Sequence, residues 1–113
     1  MKEIMKNINK SEVLRLKEQV AYLPGQITSK TLVQDDNHSL TLFAFDAGEE
    51  ISTHESGGDA MVVVLDGTGK ITIDGQVFMV EEGQSIVMPA KVPHAVEAVT
   101  PYKMLLIVFF AEE

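Results

Sequence analysis

Lys70-Ile71-Thr72-Ile73-Asp74-Gly75-Gln76-Val77-Phe78-Met79-Val80 is the stretch that decides the architecture. Two short runs rich in β-branched and aromatic residues flank Asp74-Gly75, a dipeptide that readily adopts the positive φ angles of a two-residue type I′ turn. A tight antiparallel hairpin is predicted. The same pattern repeats outward from it. Upstream, residues 61–65 form an apolar run closed by Asp66-Gly67, and residues 40–45 are apolar on both faces and end before Gly48. Further back, the β-branched stretch 27–33 runs into the turn Asp35-Asp36-Asn37. Downstream, Glu81-Glu82-Gly83 turns the chain into Ser85–Met88, which Pro89 stops, and the stretches 94–99 and 104–110 complete the series. Short strands at intervals of about ten residues, with Gly and Pro between them, predict an all-β sandwich or barrel. The last run, MLLIVFF at 104–110, has no polar alternation. Both of its faces are expected to be covered, one by the core and the other by a partner subunit.

The amino-terminal part reads differently. Ser11 followed by Val13, Leu16 and Val20 has the spacing of a short helix capped by Ser11 and stopped by Pro24-Gly25. An extended arm is the alternative. The expected organisation is an arm or short helix over 1–26 and one barrel over 27–113. A chain of 113 residues buries roughly two-thirds of its unfolded surface, enough for one core.

Composition removes several function classes. With no cysteine, zinc–thiolate sites, disulfides and thiol nucleophiles are excluded. A net charge of −8, with nine Lys and Arg residues that do not cluster, disfavours binding to a phosphate backbone. Charges are scattered through the first residues, which is unlike a secretory leader, and the longest apolar run is too short to span a bilayer. A cytoplasmic protein binding neither nucleic acid nor membrane is expected. The nucleophile elbow and the phosphate loop are both absent.

Two segments resemble the paired signatures of the cupin superfamily. The first, G-x5-H-x-H-x3/4-E-x6-G, is similar to Gly48-EEIST-His54-Glu55-Ser56-GGD-Ala60-MVVVLD-Gly67. The second, G-x5-P-x-G-x2-H-x3-N, is similar to Gly83-QSIVM-Pro89-Ala90-Lys91-VP-His94-AVE-Ala98. The resemblance implies an antiparallel jelly-roll β-barrel, a pocket inside it and, by family habit, a homodimer. It also implies a divalent metal held at the positions of His54, Ser56, Ala60 and His94. Two of those four keep a ligand; Lys91 and Ala98 replace a glycine and an asparagine.

Two imidazoles from different strands can share iron, manganese, nickel or zinc, but a stable site wants further donors from protein or substrate. Glu55 should point outward if His54 points in. Asp59, after Gly57-Gly58, is the other candidate carboxylate, with capping of a loop as its alternative role. Ser56 shares the inward parity of His54 and could bond a ligand. Met61, Met79, Met88 and Met104 are expected to fill the core, some of them lining an adaptable pocket with Ala60. His38, in a polar turn, is expected at the surface. Glu81-Glu82 and Glu112-Glu113 read as solvated charges.

Two functions follow from these residues. One is a metal-assisted enzyme in which His54 and His94 hold a divalent ion that acts on a small polar or organic acid substrate. The other is a metal-free ligand-binding or sensory barrel with His54, Ser56 and His94 as its few polar groups.

Overall fold

The computed structural model describes residues 3–111, so Glu112 and Glu113 lie outside it. Nine strands follow one another: β1 (Ile27–Gln34), β2 (His38–Phe45), β3 (Glu50–His54), β4 (Gly58–Asp66), β5 (Thr68–Ile73), β6 (Gln76–Glu81), β7 (Ser85–Met88), β8 (His94–Ala98) and β9 (Tyr102–Phe110). They form two antiparallel sheets, β1-β2-β9-β4-β7 and β3-β8-β5-β6, packed face to face as a jelly-roll barrel. The chain changes sheet between β4 and β5 at Gly67, whose φ is +73° and whose missing Cβ leaves room for the Pro101 carbonyl. The hairpin of β5 and β6 closes as the sequence predicts, with φ +49° at Asp74 and +82° at Gly75. β3 is the one strand that no apolar run marks, because most of its residues face solvent.

Inward-facing residues of both sheets build the main core, with Phe45, Val62, Val64, Ile71, Tyr102 and Met104 fully or almost fully buried. A second cluster lies on the opposite face of the five-stranded sheet, where Leu32, Leu42, Ala44 and Leu105 meet Ile8, Leu16, Val20 and Tyr22 of the amino-terminal segment. That segment is an arm with a single 3-10 turn at Leu16–Glu18. Ser11 sits at φ +57°, outside the extended region an N-cap requires, and Val13 is wholly exposed. The arm is tied down by hydrogen bonds. Lys6 N–H donates to the Leu32 carbonyl at 2.9 Å, and the Tyr22 hydroxyl donates to Asp66 Oδ2 at 2.6 Å. The outer face of β9 is therefore covered in part by the chain's own arm, at Leu105, while Phe109 stays exposed. Of the four strand methionines, Met88 and Met104 are buried, whereas Met61 and Met79 face outward. His38 is exposed and pairs with Asp35 at 3.1 Å. Among the described residues, no helix is long and apolar enough to cross a membrane.

Candidate functional site

His54 ends β3 and His94 begins β8, and the two are register partners. Their ring centroids lie 4.4 Å apart with planes inclined at 67°. A bulge makes this possible. Ile51 pairs with Val96 and His54 with His94, so β3 spends three steps where β8 spends two. Strict alternation would send Ile51 and His54 to opposite faces; the extra residue re-aims the chain so that both line the interior.

Both rings are held the same way, by the main chain two residues upstream. Nδ1 of His54 is 2.9 Å from the Ser52 carbonyl oxygen, and Nδ1 of His94 is 3.1 Å from that of Val92. A carbonyl only accepts, so each Nδ1 carries the hydrogen and each neutral ring keeps its lone pair on Nε2. The two environments differ. His94 is 3 % exposed and His54 lies open at the mouth. Burial pushes the His94 pKa below the ordinary histidine value; the Val92 carbonyl opposes this and the neighbouring His54 adds to it.

The rings open onto a cavity of about 90 Å3, lined also by Ile51, Ser56, Ala60, Met88, Val96, Met104, Leu106 and Val108. That volume holds several waters or a small ligand. Ala60 and Met88, register partners on β4 and β7, form its wall. Ser56 sits just before β4, and its Oγ accepts the Gly58 N–H at 3.2 Å. Asp59 and Glu55 are exposed and do not line the cavity. Asp59 faces outward because its neighbour Ala60 faces in, and its Oδ1 accepts the Ala90 N–H at 2.8 Å. The loop from Pro89 to Pro93 is thus fastened to the first-motif loop at two points, the second being Lys91 N–H donating to the Ser56 carbonyl at 2.8 Å. Lys91 holds φ +62°, the left-handed conformation for which a glycine would serve.

A resident divalent ion takes three or four protein donors. Here the four family positions present two imidazoles, a hydroxyl and a methyl group. Among the described residues no three His, Cys, Asp or Glu side chains converge. The donor set does not fit an ion held by protein alone. The apolar wall residues Val96, Leu106 and Val108 went unnoticed in the sequence, where alternation counted from His94 and Met104 points them inward.

Comparison with known proteins agrees with the fold. A family model described as Cupin domain matches residues 41–110. A conserved protein of unknown function from Streptococcus pyogenes is 45 % identical, covers 99 % of this chain and 98 % of its own, and superposes with a TM-score of 0.96. A cupin superfamily protein from Desulfitobacterium hafniense is 29 % identical over 96 % of this chain and 100 % of its own, with a TM-score of 0.92. A cupin 2 conserved barrel domain protein from Leptotrichia buccalis is 48 % identical over 85 % of this chain but only 47 % of its own, with a TM-score of 0.83. No curated protein matches the chain.

Proposed function

We propose, from the premise that the chain belongs to the cupin family, that it is a small-molecule-binding barrel whose ligand sits between His54 and His94 without a resident metal ion. One observation carries this reading. Of the four positions where the family's motifs place ligands, two hold Ser56 and Ala60, and the nearby Asp59 spends its carboxylate on a loop N–H outside the cavity. A pocket with an apolar wall and a few convergent polar groups suits an organic ligand. The polar end of that ligand meets His54, His94 and Ser56, and its body rests on Ala60, Met88 and Met104. Asp59 serves the pocket from outside, by holding the loop that carries the Val92 carbonyl.

The test is metal content by mass spectrometry on untagged protein purified without chelator, beside a His54→Ala/His94→Ala control. Little bound iron, manganese, nickel or zinc, even after incubation with each ion, is expected. Near one equivalent, lost in the control, overturns the reading in favour of the metal-assisted enzyme, with the ion completed by substrate oxygens.

The barrel's partner in this proposal is a second copy of itself. On the outer face of the five-stranded sheet, Val33, Leu40, Ile107, Met61 and Val87 are successive register partners, an apolar row across all five strands. The arm packs on Val33 and Leu40, while Met61, Val87 and Phe109 remain exposed. An apolar patch of this kind can pair with its own copy about a two-fold axis. Light scattering should give a dimeric mass that Met61→Lys reduces; a monomeric mass for the unaltered chain rejects the pairing.

A further inference from the structure

We infer that the pocket's ligand is an uncharged molecule bearing two adjacent hydroxyl donors on a small apolar body, in the simplest case a vicinal diol, and that a carboxylate is the head group the pocket refuses. The inference rests on the binding reading above and names its ligand class.

The hydrogen-bonding sense of the cavity decides it. Ser52 and Val92 carbonyl oxygens fix the hydrogen of each ring on Nδ1. Neither Nε2 has a protein partner among the described residues, and no buried side-chain nitrogen or oxygen there lacks a partner. The His94 Nε2 therefore reaches solvent, and its ring borders the cavity. Ser56 Oγ already accepts the Gly58 N–H, which leaves its hydroxyl hydrogen to donate. The polar inventory is thus two acceptors side by side and one donor. Among the described residues, no Lys, Arg, Asp or Glu side chain lines the space.

A carboxylate brings only acceptors. Set against two ring lone pairs, with one hydroxyl donor and no cation, it would be desolvated and left largely unpaired. A diol reverses the match. Each O–H donates to one Nε2, and an oxygen accepts from Ser56. Two hydroxyls on neighbouring carbons are the simplest donors that reach two rings whose centroids are 4.4 Å apart. A cavity of about 90 Å3 suits a body of one small ring or a short chain.

Four probes built on one benzene ring separate the head groups: catechol, its mono- and dimethyl ethers guaiacol and veratrole, and benzoate. They are titrated calorimetrically into the full chain at about pH 8, above the ordinary histidine range, with and without EDTA. Catechol should bind best, with veratrole and benzoate each weaker by about tenfold or more, since they forfeit at least one hydrogen bond to a buried acceptor. EDTA should leave the order unchanged, and His54→Phe should bring catechol down to the level of veratrole. Nitrogen-15 spectra of the imidazoles provide a second measure independent of binding, with the hydrogen expected on Nδ1 in both rings. Benzoate binding as well as catechol, catechol binding abolished by EDTA, or the hydrogen found on Nε2 would each overturn the inference while leaving a working pocket. Silence from all four probes overturns the binding reading itself, and this inference with it.

Discussion

The barrel has two ends built from the same strands, and they are finished in opposite ways. At one end Tyr102 of β9 is fully buried, packs edge-on against Phe45 at 5.4 Å and donates its hydroxyl hydrogen to Met104 Sδ at 3.2 Å. Its ring occupies the space that a side chain at Gly69 would fill. At the other end the same β9 contributes Val108, β4 contributes Ala60 and β8 contributes His94, and a cavity remains. The difference is one of side-chain volume. Large rings plug the closed end, while a methyl group at position 60 and a hydroxyl at position 56 leave the open end hollow. The closed end should then carry stability, and the open end should carry binding.

The largest effect expected from this contrast is at the plug. Tyr102→Ala removes a fully buried ring and should lower the unfolding free energy by about 3–5 kcal/mol in urea denaturation. A loss below about 1 kcal/mol would mean that the closed end collapses without its ring and that the contrast fails. Filling the open end is the mirror experiment. Ala60→Leu should change stability by less than about 1.5 kcal/mol, because the added carbons enter existing space, and should abolish catechol binding. If it destabilised as strongly as Tyr102→Ala, the open end would be a packed core.

A pH titration sharpens the same comparison. His94 is the buried titratable group of the open end, and its folded-state pKa lies below the ordinary value of about 6.5. The unfolded chain therefore binds more protons than the native one between the folded and unfolded pKa values. Stability contributed by the neutral ring is complete above the unfolded pKa and is lost as pH falls through the folded one. His94→Gln should flatten that acid limb of the stability curve. The closed end contributes nothing over this range, because burial raises the Tyr102 pKa still further above neutrality. An unchanged acid slope in His94→Gln would assign the effect to another group.

How much of this was legible in the sequence follows from which physical signals are local. The Asp74-Gly75 hairpin and the all-β class could be read, since turn chemistry and strand spacing are carried by neighbouring residues, and the motif resemblance singled out His54 and His94. Three features could not. β3 has a single inward apolar residue, Ile51, so no run announced it, and parity carried back from His54 would have turned Ile51 outward because one bulge resets the count. The residues from Ser11 to Val20 have helical spacing, but that is too short a stretch to hold a helix alone, and the sheet offered Leu16 and Val20 separate places. Asp59 was, with Glu55, one of the two nearest candidates for a third donor, yet its direction is fixed by the pleat at Ala60, and its partner is an N–H 31 residues away. Tertiary contacts decided each case.

The smallest expected effect lies in the backbone. Both ends place residues in the left-handed region, and one pair shows the contrast. At the closed end Gly67 holds φ +73°; at the open end Lys91 holds φ +62°, with an exposed side chain. An L side chain in that conformation costs about 1–2 kcal/mol. Lys91→Gly removes this strain from the native state, while the freer unfolded chain takes back about 0.4–1 kcal/mol. The variant should therefore be more stable by up to about 1 kcal/mol, with Lys91→Asn between it and the natural chain. Catechol affinity should hold, since the loop is fastened through main-chain groups that the substitution leaves alone: the Lys91 N–H on the Ser56 carbonyl and the Ala90 N–H on Asp59. If Lys91→Gly gained stability but lost affinity, the strained lysine would be part of how the open end stays shaped for its ligand, and strain as well as volume would separate the two ends.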